Sequence, residues 1–329
     1  MATFDSALLA HSVLLMSKAI LVLGGAHIDR RGRIFGDTNA GASNPGAWLE
    51  EPGGGGFNAA RNLARLGHAV RMISPRGGDA LGDAVAAAAI QAGVDDRPFV
   101  FLDRKTPSYT AIMENDGNLV IALADMELYK LFSPRRLTIR AVRDAFEAAD
   151  LVLCDANLPA ETLAVIAQRA AELGKPLAAI AISPAKVVRL KPCIAGIDYL
   201  FLNQAEAAAL TESHPDDPLE WTRQLRALGL KGGVITRGQQ SLIAFGEGLT
   251  LTLEPPAVSD IADVTGAGDS LAAGVLSALM AGLDLAEAVR HGSAAAAITI
   301  QSPLATAENL SSGLLQATLP LVPAAKILS

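Results

Sequence analysis

The chain has 329 residues, of which 50% are hydrophobic and 19% charged, and it carries a formal net charge of −7. This composition supports a large folded core and excludes extensive disorder, and the length suits about two average domains or one large α/β domain with an insertion. The acidic balance argues against nucleic acid as the main partner. The two cysteines, Cys154 and Cys193, form no Cys-x-x-Cys motif. Disulfides and structural zinc are therefore not expected, and the cytoplasm is the expected compartment.

The beginning of the chain differs from the alternating pattern that follows it, and we interpret residues 1–17 as an N-terminal extension. Its apolar part, 8–16, has neither the preceding basic residues nor the clear cleavage site of a signal peptide. No apolar run in the sequence approaches the roughly 18 residues that a membrane-spanning helix needs. We therefore expect no membrane as a partner.

The first half of the chain alternates apolar strands with helices. Residues 19–23 form a short apolar run before Gly24 and Gly25, which is typical of a buried parallel strand. Asp29 is expected in the loop at the carboxyl end of that strand, where α/β sheets place groups that bind ligands. Further elements predicted in this half are helices at 59–66 and 80–92, each closed by a glycine, and a strand at 70–74.

Two segments interrupt this alternation. Residues 30–51 are polar and rich in glycine and proline, so we predict irregular chain there. Residues 108–114 and 119–124 are strand candidates on either side of Asp116-Gly117, which predicts a β-hairpin. We interpret the segments 30–51 and 104–124 together as a small β-rich lid over a main α/β domain.

The second half alternates more regularly. Its patterns predict strands at 151–154, 177–182, 199–202 and 234–236, helices at 161–173 and 218–228, an antiparallel pair at 241–245 and 250–253, and helices after residue 269 and at 285–300. We expect the antiparallel pair at the edge of the sheet. The whole pattern predicts an α/β fold with a mainly parallel sheet that helices cover on both faces.

The segment 263–270, Asp-Val-Thr-Gly-Ala-Gly-Asp-Ser, places small residues before an acid and an apolar helix. We expect Gly266, Ala267 and Gly268 at the start of that helix, with unpaired N–H groups that form an anion site at the positive end of the helix dipole. Asp269 lies in the same turn and can take a proton from an attacking hydroxyl, as phosphoryl transfer requires. On this segment alone, Asp269 fits equally well as a helix cap below a glycine-containing loop.

Several common catalytic motifs are absent. The sequence contains no G-x-x-x-x-G-K-[ST] loop, no G-x-S-x-G and no H-E-x-x-H. The glycine run 53–56 is superficially similar to a dinucleotide-binding loop, but a polar stretch and not a strand precedes it. A nicotinamide-dependent dehydrogenase is therefore an alternative that depends on this run alone.

Three separated groups occur together: Asp29, a Gly53-Gly54-x-x-x-Asn58 turn, and the segment 266–269. In this order they resemble the PfkB/ribokinase family of carbohydrate and nucleoside kinases, from about residue 18 to about residue 311. Further elements that match the family are Asp263-x-Thr265-Gly-Ala-Gly-Asp269, Gly78-Asp79-x-x-Gly82, Asn203-x-x-Glu206 and Thr236-Arg237-Gly238. The resemblance implies a ribokinase-like three-layer α/β fold, with residues 18–329 as one kinase domain that carries the lid.

The resemblance implies roles for the residues around the acceptor. Asp29 and Asn58 would bind sugar hydroxyls, and Gly53 and Gly54 would let the backbone approach the sugar. Asp269 would deprotonate the acceptor hydroxyl. The transferred phosphoryl group would lie in an anion hole formed by Gly266, Ala267 and Gly268. Without the resemblance, Asp29 would more simply end a strand, and Asn58 would serve equally well as a helix cap.

The resemblance also implies ATP, Mg²⁺ and K⁺. The implied residues are Glu206 with Asn203 for Mg²⁺ through water, Thr236 and Gly238 for ATP, and Asp263 with the backbone of Thr265 for K⁺. Taken singly, Glu206 would be a helix-surface acid, and Asp263 fits equally well as a turn residue. Lys186 and Arg189 could meet phosphates or be solvated, and we favour the solvated interpretation. No chemistry is assigned to His27, His68 or His291.

Within the family, the chain is most similar to the pseudouridine kinases. The segments that carry this similarity are 25–32, 43–46, 52–54, 62–67, 124–126 and 155–158. The implied reaction transfers phosphate from ATP to the ribose 5′-hydroxyl of pseudouridine, with the uracil under the lid and with Thr110 and Asn157 in contact with the substrate. Phe57 stands where this group usually has Arg, and His27 where Asn is common. Another nucleoside or a free sugar therefore stays open as the acceptor.

Two further hypotheses concern the protein as a whole. A non-catalytic sensor of a sugar or nucleoside on the same fold is an alternative of a different class, although a sensor need not keep Asp269, the anion hole or Glu206. By analogy with the family, we also predict a homodimer in which lid packs on lid.

Overall fold

The computed structural model describes residues 17–328, so all of the predicted extension except Ser17 lies outside the described residues. The helices are α1 (Gly55–Arg65), α2 (Ala80–Ala92), α3 (Arg140–Ala148), α4 (Ala160–Glu172), α5 (Pro184–Val187), α6 (Gln204–Thr211), α7 (Glu220–Ala227), α8 (Ala267–Met280), α9 (Leu285–Thr299) and α10 (Ser312–Thr318). Short 3₁₀ helices span Glu127–Leu131, Pro134–Thr138, Val188–Gly196 and Leu319–Leu321. None of these helices combines the length and the apolar character that crossing a bilayer requires.

The strands form one large and two smaller sheets. They are β1 (Ala19–Leu23), β2 (His27–Ile34), β3 (Gly46–Gly53), β4 (Ala69–Ile73), β5 (Pro75–Gly77), β6 (Asp95–Asp96), β7 (Phe99–Phe101), β8 (Ser108–Met113), β9 (Leu119–Asp125), β10 (Leu151–Asp155), β11 (Leu177–Ile180), β12 (Tyr199–Asn203), β13 (Gly233–Arg237), β14 (Gln240–Gly246), β15 (Leu249–Leu253) and β16 (Lys326–Ile327). The large sheet has the order β16-β15-β14-β13-β12-β11-β10-β1-β4-β6. Strands β13 to β6 of this order pair in parallel, and β14, β15 and β16 complete one edge antiparallel. The mainly parallel sheet and its antiparallel edge are therefore confirmed.

Strand β1 shows how the helices cover both faces of this sheet. Its side chains alternate, since a strand has a period of two residues. Ile20 and Val22 pack in a cluster with residues of α1, α2, α8 and α9. Leu21 and Leu23 pack on the other face with residues of α3, α4, α6 and α7. The three-layer α/β architecture is confirmed.

A second sheet of four strands, in the order β3-β2-β8-β9, includes the strands of the two segments that we interpreted as a lid, and we call this sheet the lid. The prediction of irregular chain over 30–51 is wrong, because β2 and β3 occupy much of that segment and pair antiparallel. Their polar sequence is compatible with strands since charged side chains pair across the ladder, Arg30 with Glu50 and Arg31 with Glu51. We call the side of this sheet that carries Asp29 and Arg31 the inner face.

Asp29 is the third residue of β2 and is not in the loop after β1, as the sequence had predicted. Its neighbours across the ladder are Glu51 on β3 and Tyr109 on β8. The carboxylate therefore comes from the lid and not from the edge of the main sheet. The apolar pattern of β1 could not reveal this, because only five residues separate Leu23 at the end of β1 from Asp29, the third residue of β2.

Local signals account for some boundaries better than others. Helix α2 has its predicted bounds, because the Asp79 side chain accepts a hydrogen bond from Gly82 N at 3.0 Å and Gly93 ends the helix with a φ of 78°. The family element Gly78-Asp79-x-x-Gly82 is thus a helix cap. Helices α3, α5, α6 and α10 have nine residues or fewer, and the sequence patterns did not predict them.

Candidate active site

A cavity of about 690 Å³ lies between the inner face of the lid and the carboxyl ends of β10 to β13. Its volume is in the range of small-molecule sites, and parallel α/β sheets bind their ligands at this edge. The predicted site residues that line it are Asp29, Gly54, Asn58, Asn157, Asn203, Glu206, Thr236, Thr265, Gly266, Gly268 and Asp269. One cavity thus brings together residues from the lid, from α1 and from α8.

The other predicted site residues do not line the cavity; they are Gly53, Thr110, Ala267, Gly238 and Asp263. Thr110 of β8 faces away, because Tyr109 and Ala111 line the cavity and side chains alternate along a strand. Gly238 follows the end of β13 with a φ of 61°, and a Cβ there would meet no atom within 4 Å.

The N-terminus of α8 points into the cavity. Gly266 caps the helix with a φ of 76°. The N–H of Ala267 donates to the Val264 carbonyl at 3.3 Å, so it is not free as the sequence had predicted. Within residues 17–328, the N–H groups of Gly268 and Asp269 have no acceptor. These two amides at the positive end of a helix can bind an anion.

The absence of a side chain has a different reason at Gly266 and at Gly268. A Cβ on Gly266 would lie 1.9 Å from the carbonyl oxygen of Ala305, so the fold itself requires glycine there. A Cβ on Gly268 would meet no protein atom within 4 Å. Glycine inside a helix costs about 1 kcal/mol relative to Ala. No contact within the protein therefore requires glycine at position 268. The open space in front of this residue suits a ligand.

Asp269 is the candidate base of the site. Its Oδ2 accepts a hydrogen bond from Nδ2 of Asn58 at 2.8 Å. Burial at the bottom of the cavity raises the pKa of Asp269 to about 7, with the charges of Asp155, Glu206 and Asp29 adding to the effect and the Asn58 hydrogen bond opposing it. A carboxylate with a pKa near neutrality is matched to proton abstraction at neutral pH.

The orientation of the Asn58 amide is fixed by a hydrogen bond to its oxygen from Arg61. Asn58 is only 3% exposed, and its Oδ1 accepts a hydrogen bond from Nη2 of Arg61 at 2.6 Å. The same nitrogen donates to the Pro52 carbonyl at 2.7 Å, and the guanidinium lies over the ring of Phe57. The Asn58 Nδ2 group therefore points to Asp269. Phe57 is fully buried in the core and does not reach the cavity, so its departure from the family pattern leaves the pocket lining unchanged.

Asp29 is held by two polar side chains that follow one another, His27 and Tyr129. Nε2 of His27 lies 3.2 Å from Oδ1 of Asp29, and Nδ1 of His27 lies 2.8 Å from the hydroxyl of Tyr129. A neutral imidazole with its proton on Nε2 satisfies both contacts, donating to the carboxylate and accepting from the hydroxyl. His27, to which the sequence assigned no chemistry, therefore fixes the carboxylate that faces the acceptor side.

Gly53 and Gly54 make room for atoms of the protein. A Cβ on Gly53 would lie 1.9 Å from Oδ2 of Asp29. Gly54 has a φ of 107°, and a Cβ there would lie 2.5 Å from the carbonyl oxygen of Gly25. Their smallness therefore lets the lid strand β2 approach the start of α1.

Asn157 and Lys186 line the cavity and contact each other. Nζ of Lys186 donates to Oδ1 of Asn157 at 2.7 Å, while Nδ2 of Asn157 is buried without a partner among residues 17–328. Desolvation lowers the pKa of Lys186, with Asp155 opposing the shift. The interpretation of Lys186 as solvated is wrong, since it lines the cavity. Arg189 donates to the carbonyls of Ala156 and Asn157 and has a structural role.

Asp155 lies in the segment 155–158 that carries the similarity to the pseudouridine kinases, but the sequence assigned it no role. It ends β10 and is fully buried. Its Oδ2 accepts from the N–H groups of Gly25 and Gly56 at 2.8 and 2.9 Å, and its Oδ1 from that of Asn157 at 2.9 Å. One carboxylate thus ties together three segments that border the cavity. Its position at the carboxyl end of a buried strand is the signal that could have identified it.

Asn203 and Glu206 form the capping box of α6. Glu206 N donates to Oδ1 of Asn203 at 2.9 Å, and Asn203 N donates to Oε2 of Glu206 at 2.7 Å. Burial raises the pKa of Glu206. Oε1 receives no hydrogen bond from residues 17–328, so it is free for another partner in the cavity.

Asn203, Glu206 and Thr236 fit a Mg²⁺ ion that is bound together with phosphates. Mg²⁺ is usually held by one or two carboxylates, phosphate oxygens and water, and not by a cage of protein side chains. Accordingly, the described part of the chain contains no group of three or more His, Cys, Asp or Glu arranged as a metal site. Glu206 supplies a carboxylate oxygen, and Thr236 lines the same side of the cavity, where the nucleotide is expected.

Asp263 and Thr265 do not fit a bound K⁺ as they stand. Oδ1 of Asp263 accepts from the N–H and the hydroxyl of Thr265 at 2.8 and 2.7 Å. Oδ2 of Asp263 accepts from Nη1 of the lid residue Arg31. Both oxygens that a cation would use are therefore engaged by donors of this chain.

Comparison with known proteins agrees with this geometry. The pfkB family carbohydrate kinase model matches residues 18–311. The pseudouridine kinase of Escherichia coli (strain K12) is 28% identical over 275 residues, which are 82% of this chain and 87% of that protein.

Solved structures give the same result. A carbohydrate kinase from Agrobacterium tumefaciens is 59% identical, with a TM-score of 0.85 over 94% of this chain and 100% of that chain. A ribokinase from Arabidopsis thaliana, solved with ribose and ATP, is 20% identical, with a TM-score of 0.80 over 92% of this chain and 99% of that chain. The fold is therefore ribokinase-like, and the family match rules out the dehydrogenase alternative. The chain belongs to the pfkB family of carbohydrate kinases.

Proposed function

We propose that this sugar or nucleoside kinase phosphorylates the 5′-hydroxyl of pseudouridine with ATP, giving pseudouridine 5′-phosphate and ADP. The family supports the phosphotransferase class. The similarity to a pseudouridine kinase over 87% of that protein supports the acceptor. The free thiols of Cys154 and Cys193 agree with a cytoplasmic enzyme.

One observation carries the proposal. Asp29 from the lid, Asn58 from α1 and Asp269 from α8 line a single cavity, although they are far apart in sequence. Asp269 has a pKa of about 7 and lies next to the open N-terminus of α8. A base beside an anion site is the pair of groups that phosphoryl transfer to a hydroxyl requires.

On the acceptor side, the side chains position the ribose and remove one proton. In the proposed complex, Asp29 and Asn58, which line the cavity, hydrogen-bond ribose hydroxyls, and the 5′-hydroxyl contacts Asp269. As the 5′-oxygen attacks the γ-phosphorus of ATP, its proton passes to a carboxylate oxygen of Asp269. The uracil occupies the space under the lid beside Tyr109 and Met113.

On the nucleotide side, the chain stabilises charge. The amides of Gly268 and Asp269 face the equatorial oxygens of the transferred group. The bond between the β,γ-bridging oxygen and the γ-phosphorus breaks, and ADP leaves with the electron pair. Glu206 would hold Mg²⁺ through water, and the ion would supply positive charge to the phosphates. The lid covers the cavity and keeps water from competing with the acceptor.

The test is a coupled ADP-release assay over pseudouridine, uridine, adenosine, ribose and fructose. Uridine is the matched comparison, because it has the same ribose and differs in the linkage to the base. We expect the highest kcat/KM for pseudouridine and no turnover of 5′-deoxypseudouridine, which lacks the accepting hydroxyl. A kcat/KM for pseudouridine no better than that for ribose would contradict the proposed acceptor.

A second candidate is a kinase for another nucleoside. His27 lines the cavity at a position where the pseudouridine kinases usually have Asn, and it contacts the acceptor-side carboxylate Asp29. A larger kcat/KM for adenosine or uridine in the same assay would favour this candidate. The shared 5′-hydroxyl chemistry would then be unchanged.

A further inference from the structure

Arg31 joins the lid to the loop that leads into the anion hole. It lies on the inner face of β2 and its side chain is 13% exposed. Nη1 donates to Oδ2 of Asp263 and lies 3.3 Å from the hydroxyl of Thr265. Nη2 donates to Oε1 of Glu51 on β3. One guanidinium therefore lies between two carboxylates, one from the lid and one from the loop before α8.

The same network reaches the second segment below the anion hole. Oε2 of Glu51 accepts a hydrogen bond from the N–H of Ala305 at 3.0 Å. The carbonyl oxygen of Ala305 is the atom that leaves no room for a Cβ on Gly266. Arg31 and Glu51 thus hold both segments that fix the position of Gly266, the cap of α8.

Arg31 places a positive charge at the Asp263 carboxylate. Nη1 of Arg31 donates to Oδ2 of Asp263, so this carboxylate has a cationic partner within the chain. With Oδ1 engaged by Thr265 and Oδ2 by Arg31, a monovalent cation has no free oxygen of this carboxylate.

We propose that Arg31 is a positioning residue that replaces a monovalent cation at the anion hole, so that phosphoryl transfer by this chain does not depend on K⁺. The inference rests on the proposed kinase function. Arg31 acts through Asp263 and not on the phosphates, because both of its terminal nitrogens are committed to carboxylates.

The first test measures the wild-type enzyme in KCl, NaCl and tetramethylammonium chloride at equal ionic strength, with ATP as its Tris salt. We expect kcat and kcat/KM to agree within about twofold in the three salts. Activation by K⁺ of about tenfold or more, relative to tetramethylammonium, would overturn the inference.

The second test compares Arg31→Ala with Arg30→Ala in the same salts. Arg30 is a matched control, since it pairs with Glu50 one residue along on the same two strands but is on the outer face of the lid. We expect Arg31→Ala to lower kcat about tenfold or more in tetramethylammonium chloride, as loss of a hydrogen bond to a charged group predicts, with a smaller change in the KM for ATP. KCl or millimolar guanidinium should restore part of this loss, because the deletion leaves an oxygen-rich space beside two carboxylates.

Several outcomes of this comparison would contradict the inference. One of them is that Arg31→Ala and Arg30→Ala have the same kcat in each salt. A raised KM for ATP with kcat unchanged is another, because it would make Arg31 a phosphate ligand. Arg31→Lys keeps the positive charge and should remain independent of K⁺, which supplies a second variant if Arg31→Ala folds poorly.

A third readout does not need turnover. Thermal unfolding is measured for the wild type and Arg31→Ala in KCl and in tetramethylammonium chloride. We expect the same Tm for the wild type in both salts and a higher Tm in KCl for Arg31→Ala only. If no acceptor is phosphorylated, the proposed function fails, and the Tm comparison still decides whether Arg31 replaces the cation.

Discussion

Asn58 donates a hydrogen bond from Nδ2 to Oδ2 of Asp269 at 2.8 Å, across 211 residues of sequence. This contact joins the start of α1 to the start of α8, and both helices then face the same cavity. The amide also holds in place the carboxylate that receives the proton.

Replacement of Asp269 by Asn should separate binding from catalysis. The variant keeps the size of the side chain and an oxygen for the Asn58 amide but cannot accept the proton. We expect kcat to fall about a thousandfold, within the usual range for a general base, while pseudouridine still binds. ADP release and titration calorimetry measure the two properties. A wild-type protein without turnover on any acceptor would instead support the sensor hypothesis.

The pH dependence should follow the Asp269 carboxyl. Because its pKa is raised to about 7, the basic form is lost as the pH falls through neutrality. We expect kcat/KM to drop about tenfold per pH unit below that pKa and to level off above it. The measurement is a profile from pH 5 to pH 9 at saturating Mg²⁺. A flat profile down to pH 5 would show that another group accepts the proton.

Gly268→Ala should damage activity without damaging the fold. The added methyl group meets no protein atom but occupies the space in front of the anion hole, so kcat/KM should fall about a hundredfold, as for loss of an oxyanion-hole donor. Stability should stay equal or rise by up to about 1 kcal/mol, because Ala favours the helix. Kinetics and thermal unfolding are compared with Gly313→Ala, a helix position with equally open surroundings outside the cavity. Full activity of Gly268→Ala would argue against a phosphoryl group at this place.

Tyr129→Phe should weaken recognition of the acceptor. The change removes the hydroxyl that contacts Nδ1 of His27 and leaves the buried ring in place. His27 then holds Asp29 less firmly, and we expect the KM for pseudouridine to rise about two- to tenfold, the effect of one neutral hydrogen bond. The KM for ATP should not change. A variant with altered ATP kinetics and an unchanged acceptor KM would contradict this role of His27.

The outer face of the lid should form a dimer interface. Trp48, Ile121 and Leu123 are 63%, 65% and 70% exposed on this sheet, and apolar patches of this kind mark interaction surfaces. We propose a homodimer through this face and expect Leu123→Asp to dissociate it. Sedimentation at micromolar concentration is the measurement, with Ile90→Asp as the control, since Ile90 is 78% exposed and belongs to α2 and not to this sheet. A monomeric wild type would refute the interface.

The sequence predicted the main sheet and α2 well because their signals are local. Apolar runs mark β1 and β10, and Asp79 and Gly93 mark the ends of α2. The lid strands β2 and β3 were missed because their inner face carries charges, so their pattern is not that of a half-buried strand.

The site was predicted as a set of motifs, whereas its connections depend on tertiary structure. Lys186 belongs to no motif, and only folding brings it to Asn157. Likewise, the resemblance implied that Asp263 holds an ion. Nothing near Asp263 in sequence indicates that Arg31, 232 residues away, pairs with it. Contacts of this kind leave no local periodicity, so a single sequence does not reveal them.

The arrangement of the inner lid face has a consequence for how new acceptors could evolve. Under the proposed function, Tyr109, Ala111 and Met113 of β8 contact the acceptor, whereas the anion-binding amides of Gly268 and Asp269 belong to α8. Mutations on β8 would then change the choice of acceptor and leave the phosphate-binding groups unchanged. Position 31 on the adjacent strand is the exception, because Arg31 also bonds to Asp263 in the loop before α8.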